Sequence, residues 1–202
     1  HLMTCNLSKC SMGKIKAELT NYTPNVKPSG HDAAVALILR EQFNQIELLL
    51  IERAIIPRDP WSGQLAFPGG RVAKEDKDLC ATAIRETAEE TTIKLDDTML
   101  VGRIDDETGS LMTVHVACFV FIIPTPQKIK LNNEIKHFFW CSLDRICNPD
   151  LRSTHMTDSR SMPAVNILGS NRPILWGLTY RFTDRLTSLL GSPLSNIQQT
   201  RN

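Results

Sequence analysis

Glu86, Glu89 and Glu90 fall within five positions of one another in the segment "RETAEE", and a single arginine, Arg85, stands beside them. Carboxylates gathered this closely serve one of two ends: a solvated helix face, or an all-oxygen site for a hard cation. An α-helix turns about 100° per residue, which sets Glu86 and Glu90 about 40° apart and Glu89 about 60° to the other side of Glu86. One face carries all three acids, and Cys80, Ala81, Ile84 and Ala88 gather on the opposite face, where they can pack on a sheet. Like charges at i, i+4 cost a helix roughly 0.2–0.5 kcal/mol, and no lysine relieves the Glu86–Glu90 pair. Just upstream, "LAF" (65 to 67) reads as a short strand that ends in a turn at Pro68, Gly69 and Gly70, where main chain can approach a ligand closely. Gly70 can therefore add a carbonyl oxygen to the set. Oxygen-only donors of high charge suit Mg²⁺ or Mn²⁺ rather than zinc, with phosphate oxygens completing the shell. Arg85 either contacts phosphate or orients a glutamate through a charge-assisted hydrogen bond. The chemistry indicated is metal-dependent attack of water on phosphorus.

The elements that must position these residues can be read from hydrophobic pattern and punctuation. "DLCATAIRETAEET", from Asp78 to about Thr91, lacks proline and glycine and predicts a helix. "AAVALILR" (33 to 40) and "IELLLIERA" (46 to 54), split by the polar "EQFNQ", predict a pair of strands. "IPRDPWSGQ" (56 to 64) is loop. "MLVGRID", "LMTVHVACFVFII" and "EIKHFFWCSL" predict strands, "SLDRI" a short helix and "PAVNIL" an extended segment. "PILWGLTYRFTDRLTSLL", from Pro173 to Leu190, predicts a C-terminal helix opened by proline. Residues 1 to 30 read as a loose or short-helical lead-in, and 31 to 202 as one domain in which strands interleave with helices.

Composition narrows the function classes. With 202 residues, 42% of them hydrophobic, the chain can bury one sizeable core. Lysine and arginine number 23 against 22 acids, a balance that excludes the basic excess of a nucleic-acid binder and fits a small-molecule enzyme. The longest apolar run, "VACFVFII", is strand-sized, so no membrane span is expected, and "HLMTCNLSKC" is too polar for a secretory signal. Six cysteines without a CxxC pair argue against a zinc ribbon and read as reduced structural thiols, which points to the cytoplasm. No histidine pair has ligand spacing, and no serine sits in a nucleophile elbow.

Gly70, "RETAEE" and Ile93 together resemble the Nudix box, the signature of hydrolases that cleave nucleoside diphosphates linked to another moiety. The match has one residue more between Gly70 and Arg85 than the standard box, and its spaced acid is Glu75, Asp76 or Asp78. The longer box, with "LLLIERAIIPRDPWSGQLAFPGG" before it and "ILWGLTYRF" after it, resembles the coenzyme A diphosphatase branch of that family, through Leu49, Leu50, Arg53, Arg58, Gly63, Phe67, Pro68, Gly69 and Gly70. The resemblance implies an α/β/α sandwich around a central mixed sheet. It implies cleavage of coenzyme A or its thioesters into 4′-phosphopantetheine and 3′-phospho-AMP, with ADP-ribose, dinucleotides or nucleoside triphosphates as alternative substrates. A catalytically silent ligand-binding module is the reading outside enzymes. Carried over by position, Glu89, Glu90 and the Gly70 carbonyl would hold the metal, Glu86 would be a ligand or the general base, and Arg85 its partner. Glu134, in "NNEI", stands where many members keep another loop carboxylate and is a metal or base candidate.

Arg53 and Arg58 are candidates for gripping substrate phosphates, because guanidinium forks match phosphate geometry. Ser62, Gln64 and Phe67 flank the site and are candidates for substrate contact, and Trp61 either packs on a base or closes its loop. Thr92 stands where the box has glycine, so either the helix ends differently or the residue carries strain of about 1–3 kcal/mol. Thr87 replaces an apolar residue. A homodimer is compatible with the sequence, which says nothing more of assembly.

Overall fold

The computed structural model describes residues 10–28, 30–109 and 113–195. Leu111 and Met112, at the start of the long predicted strand, and Cys5 lie outside them. The predicted strand pair forms β1 (Ala33–Gln42) and β2 (Gln45–Arg53), closed by a two-residue turn in which Phe43 and Asn44 take φ of 48° and 60°. That handedness matches the twist of an antiparallel pair. β3 (Leu65–Ala66) and β7 (Ile135–Ser142) pair with β2, and β4 (Gly69–Arg71) pairs with β1. β1 also runs parallel to β6 (His115–Ile122), which pairs with β5 (Leu100–Thr108), giving a seven-stranded mixed sheet.

Alternation along β1 divides the core between two layers. Ala34, Ala36 and Ile38 meet Ala83 of α2 (Leu79–Thr91) on one face. Leu37 and Leu39 face a larger cluster that includes Ile15 and Leu19 of α1 (Met12–Asn21), Leu143 and Ile146 of α3 (Leu143–Ile146), and Phe182 and Leu186 of α4 (Gly177–Leu189). The architecture is the α/β/α sandwich with a central mixed sheet. A small sheet of β8 (Arg152–Met156), β9 (Ser161–Val165) and β10 (Leu175–Trp176) leads into α4.

Two local readings are corrected. The Pro-Gly-Gly segment is not a turn: Gly69 and Gly70 lie opposite Val35 and Ala34 as strand β4. The C-terminal helix does not open at Pro173, because Leu175 and Trp176 pair with Val165 and Ala164 and the helix begins only at Gly177. Both outcomes follow from pairing with distant strands, which local composition does not encode. Residues near the start of the domain are tied to β5: Asn25 N–H donates to Asp105 (2.8 Å), Lys27 N–H to Asp106 (2.8 Å), and His31 pairs with Asp106 at 2.6 Å. Among the described residues no helix is long and apolar enough to cross a membrane, and the five described cysteines are free.

Candidate active site

Asp78 caps α2 by accepting from Ala81 N–H (2.8 Å), and the helix then runs uninterrupted to Thr91. Its buried residues are Thr82, Ala83, Thr87, Glu90 and Thr91, whereas Cys80, Ala81, Ile84 and Ala88 are only half-buried. The acids and the packed face therefore adjoin rather than oppose one another. Glu90 is the reason. It is 2% exposed and accepts Gly69 N–H at 3.0 Å, so a carboxylate takes the place of a core side chain. Burial, with Glu86 and Glu134 nearby, pushes the Glu90 carboxyl up to about 8, against the opposing pull of Gly69 N–H and Arg53. Glu86 is also raised, first by burial and then by Glu89 and Glu134, with Arg85 pulling the other way. Glu89 is exposed.

Arg85 forks onto Asp76, Nε to Oδ1 and Nη2 to Oδ2, both at 2.9 Å. Its Nη1 donates to Glu86 (2.9 Å) and lies 3.3 Å from Glu89 Oε2, while Nη2 also donates to the Arg71 carbonyl (3.1 Å). Five donors held this way orient glutamates and leave none aimed at a phosphate. Of the three candidates for the spaced acid, Asp76 occupies that position and Asp78 is the helix cap. The Arg85 fork, with further donation from Ala73 N–H and the Thr82 hydroxyl, holds Asp76 well below the usual carboxylate range.

The two glycines serve closeness of approach. A Cβ at Gly70 would stand 2.4 Å from the Glu86 carboxyl carbon, and one at Gly69 (φ 154°) would stand 2.4 Å from the Ala34 carbonyl oxygen. β4 can thus pair closely with β1 while Glu86 of the acidic helix rests directly on its backbone.

These residues edge a cleft of about 470 Å³. Glu86, Glu89, Glu90 and Glu134 line it, with Gly69, Gly70 and Arg53. Gln64, Phe67 and Trp61 also line it, and Arg53 is braced by Asp59 at 3.0 Å. Arg58 and Ser62 do not line it: Arg58 is exposed with φ 70°, and the Ser62 hydroxyl is used within its own loop, against Ile56 N–H (2.9 Å) and the Ile56 carbonyl (2.8 Å). Trp176, Phe182 and Val116 form an apolar wall, and Arg71 adds a second cation. In the sequence, the likeness of "ILWGLTYRF" to the diphosphatase branch is a signal for Trp176 and Phe182, while nothing singles out Val116 or Arg71.

The donor set fits a hard divalent cation. It is all oxygen, and burial penalises the charge on Glu86 and Glu90, which a cation would offset. In the conformation seen the acids are parked on other partners, Glu86 and Glu89 on Arg85 and Glu90 on Gly69. Among the described residues no three histidine, cysteine, aspartate or glutamate side chains converge in ligating geometry. Closing a shell would therefore take side-chain rotation.

The acidic helix packs beside a glycine-rich strand in a mixed-sheet sandwich. The NUDIX domain profile matches residues 30–164, and the chain belongs to the Nudix family. An uncharacterized protein of Schizosaccharomyces pombe is 30% identical over 159 residues, covering 68% of this chain and 48% of that protein. An uncharacterized Nudix hydrolase NudL of Klebsiella aerogenes is 33% identical over 99 residues, covering 48% of this chain and 82% of the relative. A NudL of Shigella flexneri is 37% identical over 92 residues, covering 44% of this chain and 47% of the relative. The chain thus spans about half the length of the yeast and Shigella relatives. The solved structure of a MutT/nudix family protein from Enterococcus faecalis superposes with a TM-score of 0.57 at 14% identity, over 92% of this chain and 73% of that one, and shares the fold.

Proposed function

We propose that this Nudix domain hydrolyses the pyrophosphate bond of a nucleotide-derived small molecule with Mg²⁺ or Mn²⁺, and that coenzyme A or a thioester of it is the substrate. The observation that carries the hydrolytic reading is the burial of Glu90, with Glu86 beside it, in the lining of a substrate-sized cleft. Keeping like charges there costs stability unless a cation offsets them. Glu86, Glu89, Glu90 and the Gly70 carbonyl would hold the ion, which when bound neutralises anhydride charge and acidifies water. Arg85, fixed by Asp76, orients Glu86. Glu86 or Glu134 takes the proton of the attacking water as the P–O–P bridge breaks, one phosphorus gaining the hydroxyl and the other departing on the bridging oxygen.

Coenzyme A is favoured by the "LLLIER" and "FPGG" match and by a cleft that joins Arg53 and the acids to an apolar wall able to receive pantetheine. Placement of Arg58 outside the cleft lining favours a second reading, in which the substrate lacks the 3′-phosphate, as ADP-ribose does. Incubating the protein with Mg²⁺ and coenzyme A, ADP-ribose, NADH or dATP separates the two. Coenzyme A is expected to be cleaved fastest, to 4′-phosphopantetheine and 3′-phospho-AMP; slowest cleavage of coenzyme A would overturn the substrate assignment. Glu89→Gln or Glu90→Gln should lose turnover by about 10² or more while keeping the fold by circular dichroism. Wild-type turnover in either variant would remove the metal assignment.

A further inference from the structure

Resting on the hydrolytic reading above, we propose that Thr92 is a positioning residue that clamps the Glu134 loop to the end of the acidic helix. Thr92 adopts the left-handed conformation (φ 62°, ψ 4°) that glycine takes most readily, and still ends α2 by donating its N–H to the Ala88 carbonyl at 2.9 Å. What a glycine there would lack is the hydroxyl. Thr92 Oγ1 donates to the Lys128 carbonyl (3.3 Å) and accepts from Lys130 N–H (3.1 Å), so one side chain bridges two points of the facing loop.

Neighbouring bonds extend the seam. Gln127 pairs its amide with the Lys94 backbone in both directions, at 2.9 and 3.0 Å. Lys130 N–H also reaches the Thr91 carbonyl (3.1 Å), and Asn132 N–H reaches the carbonyl of Glu90 itself (3.2 Å). Asn132 Oδ1 then accepts from Glu134 N–H (2.9 Å), and the Glu134 carbonyl accepts from Ala54 N–H (2.7 Å). Glu134 is thus hung between the end of α2 and the end of β2, and lines the same cleft as Glu86 and Glu90. Thr92 supplies the only side chain of α2 or its cap, among the described residues, that bonds to this loop. A backbone conformation that disfavours threonine thus falls where its hydroxyl ties the end of α2 to the loop that carries Glu134.

The test compares Thr92→Gly with Thr92→Ser. Glycine relaxes the backbone and deletes the hydroxyl, whereas serine keeps it. Hydrogen exchange of segment 128–134 should be faster in Thr92→Gly and at the wild-type rate in Thr92→Ser, with Tm of the glycine variant equal to or above wild type. With coenzyme A, or whichever diphosphate the screen finds fastest, kcat of Thr92→Gly should fall by about tenfold or more with little change in KM, and serine should restore it. In a Glu134→Gln background, Thr92→Gly should cost nothing further. Unchanged exchange in Thr92→Gly would overturn the clamp, and an undiminished loss on Glu134→Gln would show that Thr92 does not act through Glu134. Full turnover in Glu134→Gln alone would remove Glu134 from the reaction and the positioning role with it, while the exchange data would still decide whether the clamp exists.

Discussion

Glu90 makes a carboxylate part of the core, and its protonation is tied to folding. Its carboxyl is raised from 4.5 to about 8 in the folded protein, with burial as the main cause. A folded-state value above the unfolded one stabilises the fold fully below the unfolded value, and that stability is lost as pH rises through the folded one. Metal-stripped protein should therefore lose Tm between about pH 4.5 and pH 8, by the equivalent of a few kcal/mol. Glu90→Gln should flatten that slope, and Mg²⁺ should raise Tm more at pH 8 than at pH 5. A Tm flat across the range in the wild-type protein would show that Glu90 is not charged at the expense of folding. Gly70 gives a second outcome at this scale. Alanine there would drive Cβ to 2.4 Å from the Glu86 carboxyl carbon, so Glu86 must move. Gly70→Ala should lower kcat on the order of 10²-fold, with a far smaller effect on Tm than on rate.

At the scale of elements, α2 is positioned by what precedes it. Asp76 forks onto Arg85, and Arg85 holds Glu86 and Glu89. Asp76→Asn keeps the shape but removes the charge, and should lower kcat about tenfold while metal affinity falls less. Arg85→Lys should not rescue activity, since an ammonium cannot make the fork. Equal activity in Asp76→Asn and wild type would dissolve this linkage. The helix itself was legible in sequence, because absence of proline and glycine and the acid spacing are local properties. The β1–β2 pair was legible for the same reason, through its apolar runs and polar break. Cys80 and Ile84 do pack against the sheet layer, as their apolar character indicates, but burial of Glu90 depends on the distant Gly69 N–H, which composition does not show. β4 and β10 were not legible as strands: two or three residues become strand only when β1 or β9 lies alongside. Asp76 was one of three acids at similar spacing, and only the approach of Arg85 distinguishes it.

In the whole molecule the acids of α2 and the apolar wall of the cleft come from opposite layers of the sandwich. α2 and β4 bring the acids from one face of the sheet, while β10 and α4 bring Trp176 and Phe182 from the other. Trp61 and Gln64, from the loop before β3, and Phe67, just after it, also line the cleft. Trp61 is the wall residue best suited to testing this division, since it is only half-buried and its backbone N–H is held by Asp59 at 3.0 Å independently of the ring. Trp61→Ala should therefore leave the acids in place. If the ring contacts bound substrate, the variant should raise KM for the preferred diphosphate several-fold, a loss of ground-state and transition-state contact alike, with kcat held near wild type. Measured with coenzyme A and with ADP-ribose, the two KM ratios locate the ring: a larger rise for coenzyme A places pantetheine against it, and equal rises place the adenosine part that both share. A fall in kcat with unchanged KM would instead tie Trp61 to the placement of Arg53 and the acids, and the separation of grip from chemistry would fail at that residue.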